Sequence, residues 1–324
     1  MQAVRQQFIE YNIPGEITDV LMCSWRSGTR KQYDVYIRKW CIFCIQEKIN
    51  SLYPNIVSVL KFLHSLYVQN LTYSTLNTAR SALSSYLTGF NFDGTQYSMT
   101  NHPFIIRYMK GIFNLCRPSP RYLETWDIKP VLNYLEFLFP LDKLSLKDLS
   151  LKLVTLLALT TGQRCQTLTF LDIQHMTEST GSYVFVIKDL VKQDRPGKLL
   201  TSLIVEKYPK RELCTYLTLQ HCLTSTQSFR KEENKRILSY VKPFKPIGSS
   251  TVGRWIKTVL HNSGIDTTKF QAHSTRAAAA SKTSQMLPVD QILQHVGWSS
   301  EKIFQTFYNK PIYKDVEFDR VVLQ

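Results

Sequence analysis

Two closely spaced prolines interrupt the chain about a third of the way along. Pro118 and Pro120 lie two residues apart, and arginines flank them at positions 117 and 121. Because proline fixes φ and cannot donate a backbone hydrogen bond, such a pair ends a helix and stiffens the chain. A chain of 324 residues is long enough for two domains of ordinary size. We therefore expect one domain at residues 1–117 and a second at residues 118–324.

Before this break, apolar side chains recur at the spacing of amphipathic helices. The pattern predicts helices at residues 30–46, 55–69, 73–87 and 103–115, which together form a small helical bundle. The third helix carries small polar and basic side chains on one face. That face either lies close to a phosphate backbone or is simply exposed to solvent.

The second part mixes helices with a short β segment. Two β-branched stretches, 182–187 and 199–205, flank Pro196 and Gly197, which predicts a hairpin or a small sheet. Helices are predicted at 128–138, 145–161, 212–224, 251–262 and 272–286. The predicted fold class is therefore mainly α with a small β-sheet: an N-terminal helical bundle followed by a C-terminal α+β domain.

The charge balance favours a polyanionic partner. The chain has 40 Lys and Arg against 25 Asp and Glu, a formal net charge of +15. The excess is shared by both predicted domains, so both could contact the same nucleic acid. The alternative is a basic enzyme that has no polyanionic partner.

Cysteine and hydropathy patterns exclude several other classes. Seven cysteines, an odd number, argue against a disulfide framework. Cys41 and Cys44 have the spacing of metal ligands, but no second pair follows, so we interpret them as buried thiols and predict no metal. No run of about 18 apolar residues occurs, so no membrane span is expected.

Two arginines and a histidine have the chemistry and spacing of a phosphate site. His273 and Arg276 are three residues apart on a predicted helix and share one face. Arg164 follows Thr161 and Gly162 at the end of an apolar helix, where a glycine lets the chain turn. Arginine suits phosphate because its planar group donates two parallel hydrogen bonds and stays charged. Taken singly, each of these residues is more often structural.

Two aromatic residues complete the pattern near the end of the sequence. Trp298 follows Gly297 and can donate one hydrogen bond through its indole N–H. Tyr308 lies ten residues further on, and its hydroxyl can serve as a nucleophile once it loses its proton. The alternative is that Tyr308 belongs to an ordinary apolar helix face together with Phe304 and Phe307.

In this order, the residues resemble the tyrosine recombinase (phage integrase) family. In that family an arginine after Thr-Gly is followed by a lysine in a β-hairpin, His-x-x-Arg, Gly-His or Gly-Trp, and a tyrosine about ten residues later. The resemblance covers the second domain and, more loosely, the first, because the family's core-binding domain is likewise a helical, SAM-like bundle. It implies a catalytic set of Arg164, Lys192, His273, Arg276, Trp298 and Tyr308.

The resemblance also implies a role for each residue. Tyr308 would attack a DNA phosphate, forming a 3′-phosphotyrosine and releasing a 5′-hydroxyl. Arg164 and Arg276 would neutralise the phosphate oxygens, and Trp298 would hydrogen-bond one of them. Lys192 would protonate the leaving oxygen, and His273 would accept a proton or donate to the phosphate. The phosphotyrosine conserves the phosphodiester energy, so no cofactor is expected.

Two assignments remain open, and one position departs from the family. Lys188 or Lys198 could replace Lys192 as the general acid, and His295 could replace Trp298 as the fourth phosphate ligand. Bacterial and phage members usually carry an acid three positions after the first arginine. Here that position is Thr167, so another group must orient the arginine.

Three motifs resemble the recombinases of eukaryotic mobile elements, the Crypton, DIRS and Ngaro groups. These motifs are Thr-Gly-Gln-Arg-x-Gln-Thr-Leu at 161–168, Lys-x-x-Arg-Pro-Gly-Lys at 192–198, and Gly-Trp-Ser-Ser with Phe-x-x-Phe-Tyr at 297–308. This resemblance implies residence in the nucleus and a role in the integration or excision of a mobile element.

The implied partner is double-stranded DNA, held between the two domains as in a C-shaped clamp by a homo-tetramer bound to two sites. Predicted DNA contacts are Arg30, Lys31, Arg80 and Lys198. Two other functions remain open: a DNA-binding protein that does not use the catalytic residues, and a type IB topoisomerase.

Overall fold

The fold is described from a computed structural model, which divides into two compact units, Met1–Ser119 and Pro120–Gln324. The described part of the chain is mainly helical with two small sheets. Within it, every helix is too short or too polar to cross a membrane. The description covers residues 1–119, 121–192, 194, 196–197, 201–230, 236–298 and 300–312.

The first unit is a helical bundle with one small hairpin. Its helices are α1 (Gln2–Glu10), α2 (Gly15–Met22), α3 (Ser27–Glu47), α4 (Ile56–Val68), α5 (Tyr73–Ser84) and α6 (Pro103–Leu115), and its strands are β1 (Phe90–Phe92) and β2 (Thr95–Tyr97). The four predicted helices correspond to α3–α6. Helices α1 and α2 and the hairpin were not predicted, because they are short and several of their apolar side chains face solvent.

Trp40 lies at the centre of this bundle. Its ring packs edge-on against Phe62 at 5.3 Å, and its indole nitrogen donates to the Ser51 carbonyl at 2.9 Å. Cys44 is buried one turn further along α3, and burial raises the pKa of its thiol to about 12. A thiol in this environment stays protonated, which agrees with its interpretation as a core residue.

The second unit surrounds the long, almost fully buried helix α8. The unit contains α7 (Lys129–Phe137), α8 (Leu146–Thr161), α9 (Cys165–Thr169), β3 (Met176–Ser179), β4 (Ser182–Ile187), β5 (Thr201–Glu206), α10 (Thr215–Thr226), α11 (Ser249–Asn262), α12 (Thr275–Thr283), α13 (Val289–Val296) and α14 (Glu301–Phe307). The strands form an antiparallel sheet in the order β3-β4-β5. Strands β4 and β5 were predicted, whereas the short, mostly exposed β3 was not.

Helix α8 holds α7 through Lys152 and turns toward the functional site at its C-terminal end. Lys152 is fully buried, and its Nζ donates to the carbonyls of Leu135 at 2.9 Å and Leu138 at 2.5 Å, which fixes the end of α7 against α8. At its other end, α8 stops at Gly162, which adopts a left-handed conformation with φ of 59°. The chain turns there and delivers Arg164 to the start of α9.

Candidate active site

Arg276 forms the buried floor of the site. It lies in the first turn of α12, only 1% exposed, with its guanidinium carbon 5.2 Å from the centroid of the Tyr308 ring. None of its three guanidinium nitrogens donates a hydrogen bond of ordinary geometry to a residue that the structure describes. Burial, and then the charge of Arg164, lower the pKa of Arg276 to about 10, although the Tyr308 hydroxyl opposes that shift. Buried donors of this kind call for an anion.

Trp298 supplies a second buried donor without an acceptor. Gly297 ends α13 with φ of 74°, and its amide and that of Trp298 both donate to the Leu293 carbonyl. The turn stacks the Trp298 ring on the Tyr308 ring at 4.3 Å. Its indole nitrogen has no partner within the described ranges, and the Arg276 guanidinium carbon lies 5.4 Å from the ring centroid. Both sets of orphaned donors therefore lie against one tyrosine.

Tyr308 is held by its backbone at the end of α14. Its amide donates to the Phe304 carbonyl at 2.8 Å, and its own carbonyl accepts from the Ser281 hydroxyl at 2.9 Å. The amide of Lys310 donates back to that hydroxyl at 2.9 Å. Ser281 on α12 thus fixes the position of Tyr308 relative to Arg276, which lies five residues earlier on the same helix.

The turn that carries Arg164 is docked on the end of α13. The Gln163 side-chain nitrogen donates to the Val296 carbonyl at 3.3 Å, and a Cβ placed on Gly162 would lie 2.9 Å from a Val296 methyl. Arg164 is half-buried, and its charge lowers the pKa values of Arg276 and His273. The close approach at Gly162 therefore connects the Arg164 turn to the segment that ends in Trp298.

We expect Gly162→Ala to weaken this connection. The alanine would be strained by the positive φ and would press on Val296, and together these should lower the free energy of unfolding by about 2 kcal/mol. Gly264→Ala is the matched control, because φ is 81° there but no atom lies within 4 Å of the added Cβ. Urea unfolding measures both, and equal losses would contradict the proposed clash. Adding Val296→Ala should recover part of the loss, a non-additive result.

His273 and Lys192 are the exposed members of the predicted catalytic set. The His273 ring centroid is 6.2 Å from that of Tyr308, and the residue is exposed to solvent. Partial burial, and then the charges of Arg276, Arg164 and Lys192, lower the pKa of His273 to about 4. The imidazole is therefore neutral at physiological pH and can accept a proton. Lys192 is exposed in the loop after β4.

The pKa of His273 can be tested directly. In the protein without DNA, ¹⁵N imidazole NMR should find a pKa near 4, and a bound DNA phosphate should raise it by adding negative charge. An unfolded histidine titrates near 6.5, so the unfolded state binds more protons between pH 6.5 and 4. Wild type should therefore lose stability relative to His273→Gln as the pH falls through that window. A free-protein value near 6.5 would contradict the cationic environment described above.

The other predicted residues of the second unit are Lys188, Lys198 and His295. Lys188 is exposed just after β4, and Lys198 lies outside the described residues. The His295 Nε2 is 2.9 Å from the Thr160 carbonyl, so it links α13 to α8.

Of the predicted DNA contacts in the first unit, Arg30 donates to the Met22 carbonyl at 2.6 Å and so helps to hold α2 against α3. Lys31 is exposed and Arg80 is half-buried. In the second unit, the charge of Arg121 also lowers the pKa of His273. In the sequence, Arg121 stands out only as a neighbour of the two prolines that separate the predicted domains.

Fold and site together define a mainly helical protein with a cluster of cationic side chains around a tyrosine. The chain belongs to the phage integrase family, whose family model matches residues 132–313. No curated protein sequence matches the chain.

Solved structures of similar fold are recombinases and integrases. The Tn1549 transposon integrase in complex with transposon right end DNA aligns with a TM-score of 0.63 and 12% identity, over 99% of this chain and 96% of that one. A lambda integrase dimer bound to a COC′ core site gives 0.57 and 14%, over 94% and 97%. The lambda integrase tetramer bound to a Holliday junction gives 0.51 and 14%, over 90% and 75%.

The XerH site-specific recombinase bound to difH gives a TM-score of 0.52 and 14% identity over 78% of this chain. The chain spans 66% of the XerH chain. At these identities the similarity concerns the fold, and it confirms the predicted fold class.

Proposed function

We propose that the protein is a site-specific DNA recombinase that cuts and rejoins DNA through a 3′-phosphotyrosine intermediate. One observation carries the proposal: four buried nitrogens, three on Arg276 and one on Trp298, make no hydrogen bond of ordinary geometry to the described residues and lie around Tyr308, whose hydroxyl favours the charged form of Arg276. A phosphate diester is an anion that would satisfy such donors beside a nucleophile. Membership of the phage integrase family supports the same reaction class.

In the proposed reaction, the Tyr308 oxygen attacks the phosphorus and the bond to the 5′ oxygen breaks. Arg276, Arg164 and Trp298 stabilise the charge that develops on the non-bridging oxygens. Each such donor is worth roughly 10²–10³ in rate by analogy with oxyanion holes. Rejoining reverses the step, because the phosphotyrosine retains the energy of the broken diester.

Two exposed residues, His273 and Lys192, are the proposed proton acceptor and proton donor. Neutral His273 accepts the phenol proton, a role supported by its position beside Tyr308. Its pKa of about 4 leaves the ring unprotonated in the free protein, and a bound phosphate would raise that pKa and so make the imidazole a stronger base. Lys192 is the proposed acid for the leaving 5′ oxygen, supported by its exposed position after β4, where the family carries a lysine in a β-hairpin. Lys188 and Lys198 are the alternatives for that role.

Double-stranded DNA is the proposed partner. The net charge of +15 favours a polyanion, and the solved structures of similar fold include a transposon integrase, lambda integrase and XerH in complex with DNA. We further propose that the protein acts as a homo-tetramer, as in the lambda integrase tetramer bound to a Holliday junction. Lys31, Arg80 and Arg121 are exposed or half-buried cations available for phosphate contacts.

A role in the movement of a nuclear mobile element is the finer part of the proposal. Its support is the set of three motifs that resemble the Crypton, DIRS and Ngaro recombinases, together with the similarity in fold to a transposon integrase. In the same proposal, residues 1–117 form the domain that binds DNA, and residues 118–324 form the domain that carries out the reaction.

A covalent trapping experiment tests the function. The protein is incubated with a pool of nicked duplexes that carry randomised half-sites, and adducts that survive denaturation are mapped by peptide mass. A recombinase should form an adduct at Tyr308 on a defined subset of sequences. Binding without any adduct would instead favour a DNA-binding protein. Relaxation of supercoiled plasmid of arbitrary sequence by a monomer would favour a type IB topoisomerase.

A further inference from the structure

The first described residues of the second unit, 121–126, lie along the loop that carries His273. The amide of Gln271 donates to the Tyr122 hydroxyl at 3.2 Å, and the Tyr122 ring stacks on Phe270 at 5.7 Å. Lys269 forms an ion pair with Glu124. We call residues 121–126 the strap, because they follow residues 269–274 with one contact after another.

Trp126 makes the most buried of these contacts. Its indole nitrogen donates to the Ser274 hydroxyl at 2.8 Å, and that hydroxyl donates in turn to the Gln271 carbonyl at 2.7 Å. Trp126 and Ser274 are 3% and 2% exposed, so water does not compete for these hydrogen bonds. They fix a 3₁₀ turn, Ala272–Ser274, whose middle residue is His273 and which leads directly into α12 and Arg276.

The neighbouring residue, Thr125, holds the segment that follows the tyrosine. Its amide donates to the Pro311 carbonyl at 2.9 Å, and Thr125 pairs with Ile312 as a parallel bridge. Pro311 is three residues beyond Tyr308. Two consecutive residues of the strap therefore hold the two halves of the site: the histidine–arginine turn and the tyrosine segment.

We propose that the strap is a positioning element that sets the distance between Tyr308 and the His273–Arg276 turn. This inference rests on the proposed function. Trp126 and Thr125 are positioning residues, because they act through Ser274 and Pro311 and not on the reacting atoms. Small misplacements of a nucleophile reduce rate far more than binding, so loosening the strap should slow cleavage at unchanged affinity for DNA.

Trp126→Phe tests the first contact. Phenylalanine keeps an aromatic ring in place but removes the donor to Ser274, so we expect cleavage of the nicked duplex to slow about tenfold or more while the Kd for DNA stays constant. The pKa of His273 should rise from about 4 toward its ordinary value as the turn loosens. Ser274→Ala should act like Trp126→Phe, and the double variant should be no slower than the slower single one. Trp255→Phe, which changes another buried indole of the same unit, should leave the pKa and the cleavage rate unchanged.

A second pair of variants tests the contact to the tyrosine segment. Thr125→Pro removes the amide that donates to Pro311, whereas Thr125→Val removes only a buried hydroxyl that has no partner in the described part of the chain. If the strap positions Tyr308, the proline variant should cleave more slowly than wild type and the valine variant should cleave at the normal rate. Because neither variant alters Trp126, this pair still decides the matter if Trp126→Phe does not fold.

The outcomes separate the strap from the function on which it rests. If wild type forms no adduct, the proposed recombinase activity fails, and the pKa of His273 in Trp126→Phe still reports whether the strap holds the turn. If wild type cleaves, and folded Trp126→Phe and Thr125→Pro cleave as fast, the strap is overturned. A slower rate explained entirely by the unfolded fraction, measured from melting curves, overturns it as well.

Discussion

Tyr308→Phe should abolish the covalent protein–DNA adduct while leaving the fold and DNA affinity almost unchanged. The substitution removes one oxygen, and the ring can still stack on Trp298 and lie over Arg276. The adduct requires a bond from that oxygen to phosphorus, so its yield should fall below detection on denaturing gels. Affinity should persist, because contacts to many phosphates dominate binding to a duplex.

Tyr240→Phe is the control for this prediction. Tyr240 stacks on Trp255 at 4.9 Å, and its substitution likewise removes one phenol from the second unit. It should form the adduct at the wild-type rate. An adduct that persisted in Tyr308→Phe, with its peptide mapped to another residue, would show that the nucleophile lies elsewhere.

The sequence predicts the helices whose apolar faces are wide and buried, and it fails where the pattern is short. Helices α3–α6 follow from their spacing because each packs one face on a core that includes Trp40. Helix α2 has exposed apolar side chains at Ile17 and Val20, so its pattern does not mark a buried face. The four residues of β3 are too few to alternate clearly.

The residues proposed for the site follow from their order along the sequence, but the contacts that organise them leave no such pattern. Trp126 donates to Ser274 across 148 positions, and Gln163 donates to Val296 across 133. Neither partner has a local pattern that identifies the other. The orphaned state of the Arg276 nitrogens is likewise a property of packing, because it depends on which acceptors the fold leaves out.

The Arg276 nitrogens make no hydrogen bond of ordinary geometry to the described residues of the free protein, and a second prediction follows from this. Arg276→Met should slow cleavage by about 10²–10³ and yet stabilise the free protein. The loss of rate follows from removing a preorganised donor to the phosphate. The gain in stability follows because a buried charge without an acceptor opposes folding. Burial, and then the charge of Arg164, lower the pKa of Arg276 from 12.5 to about 10, so the folded state disfavours the charged guanidinium. Even a buried ion pair can be replaced by well-packed apolar side chains with no loss of stability or with a gain of about 1–4 kcal/mol.

Urea unfolding without DNA and single-turnover cleavage with DNA measure the two effects on the same variant. Arg254→Met is the control, since Arg254 is exposed on α11 and should change neither. Destabilisation by Arg276→Met would mean that the guanidinium has an acceptor in the free protein and is part of its ordinary core. Stabilisation together with loss of cleavage would mean that the folded protein maintains an unfavourable cation at Arg276. A bound phosphate would remove that cost, so the relief of this unfavourable interaction would contribute to the free energy of DNA binding.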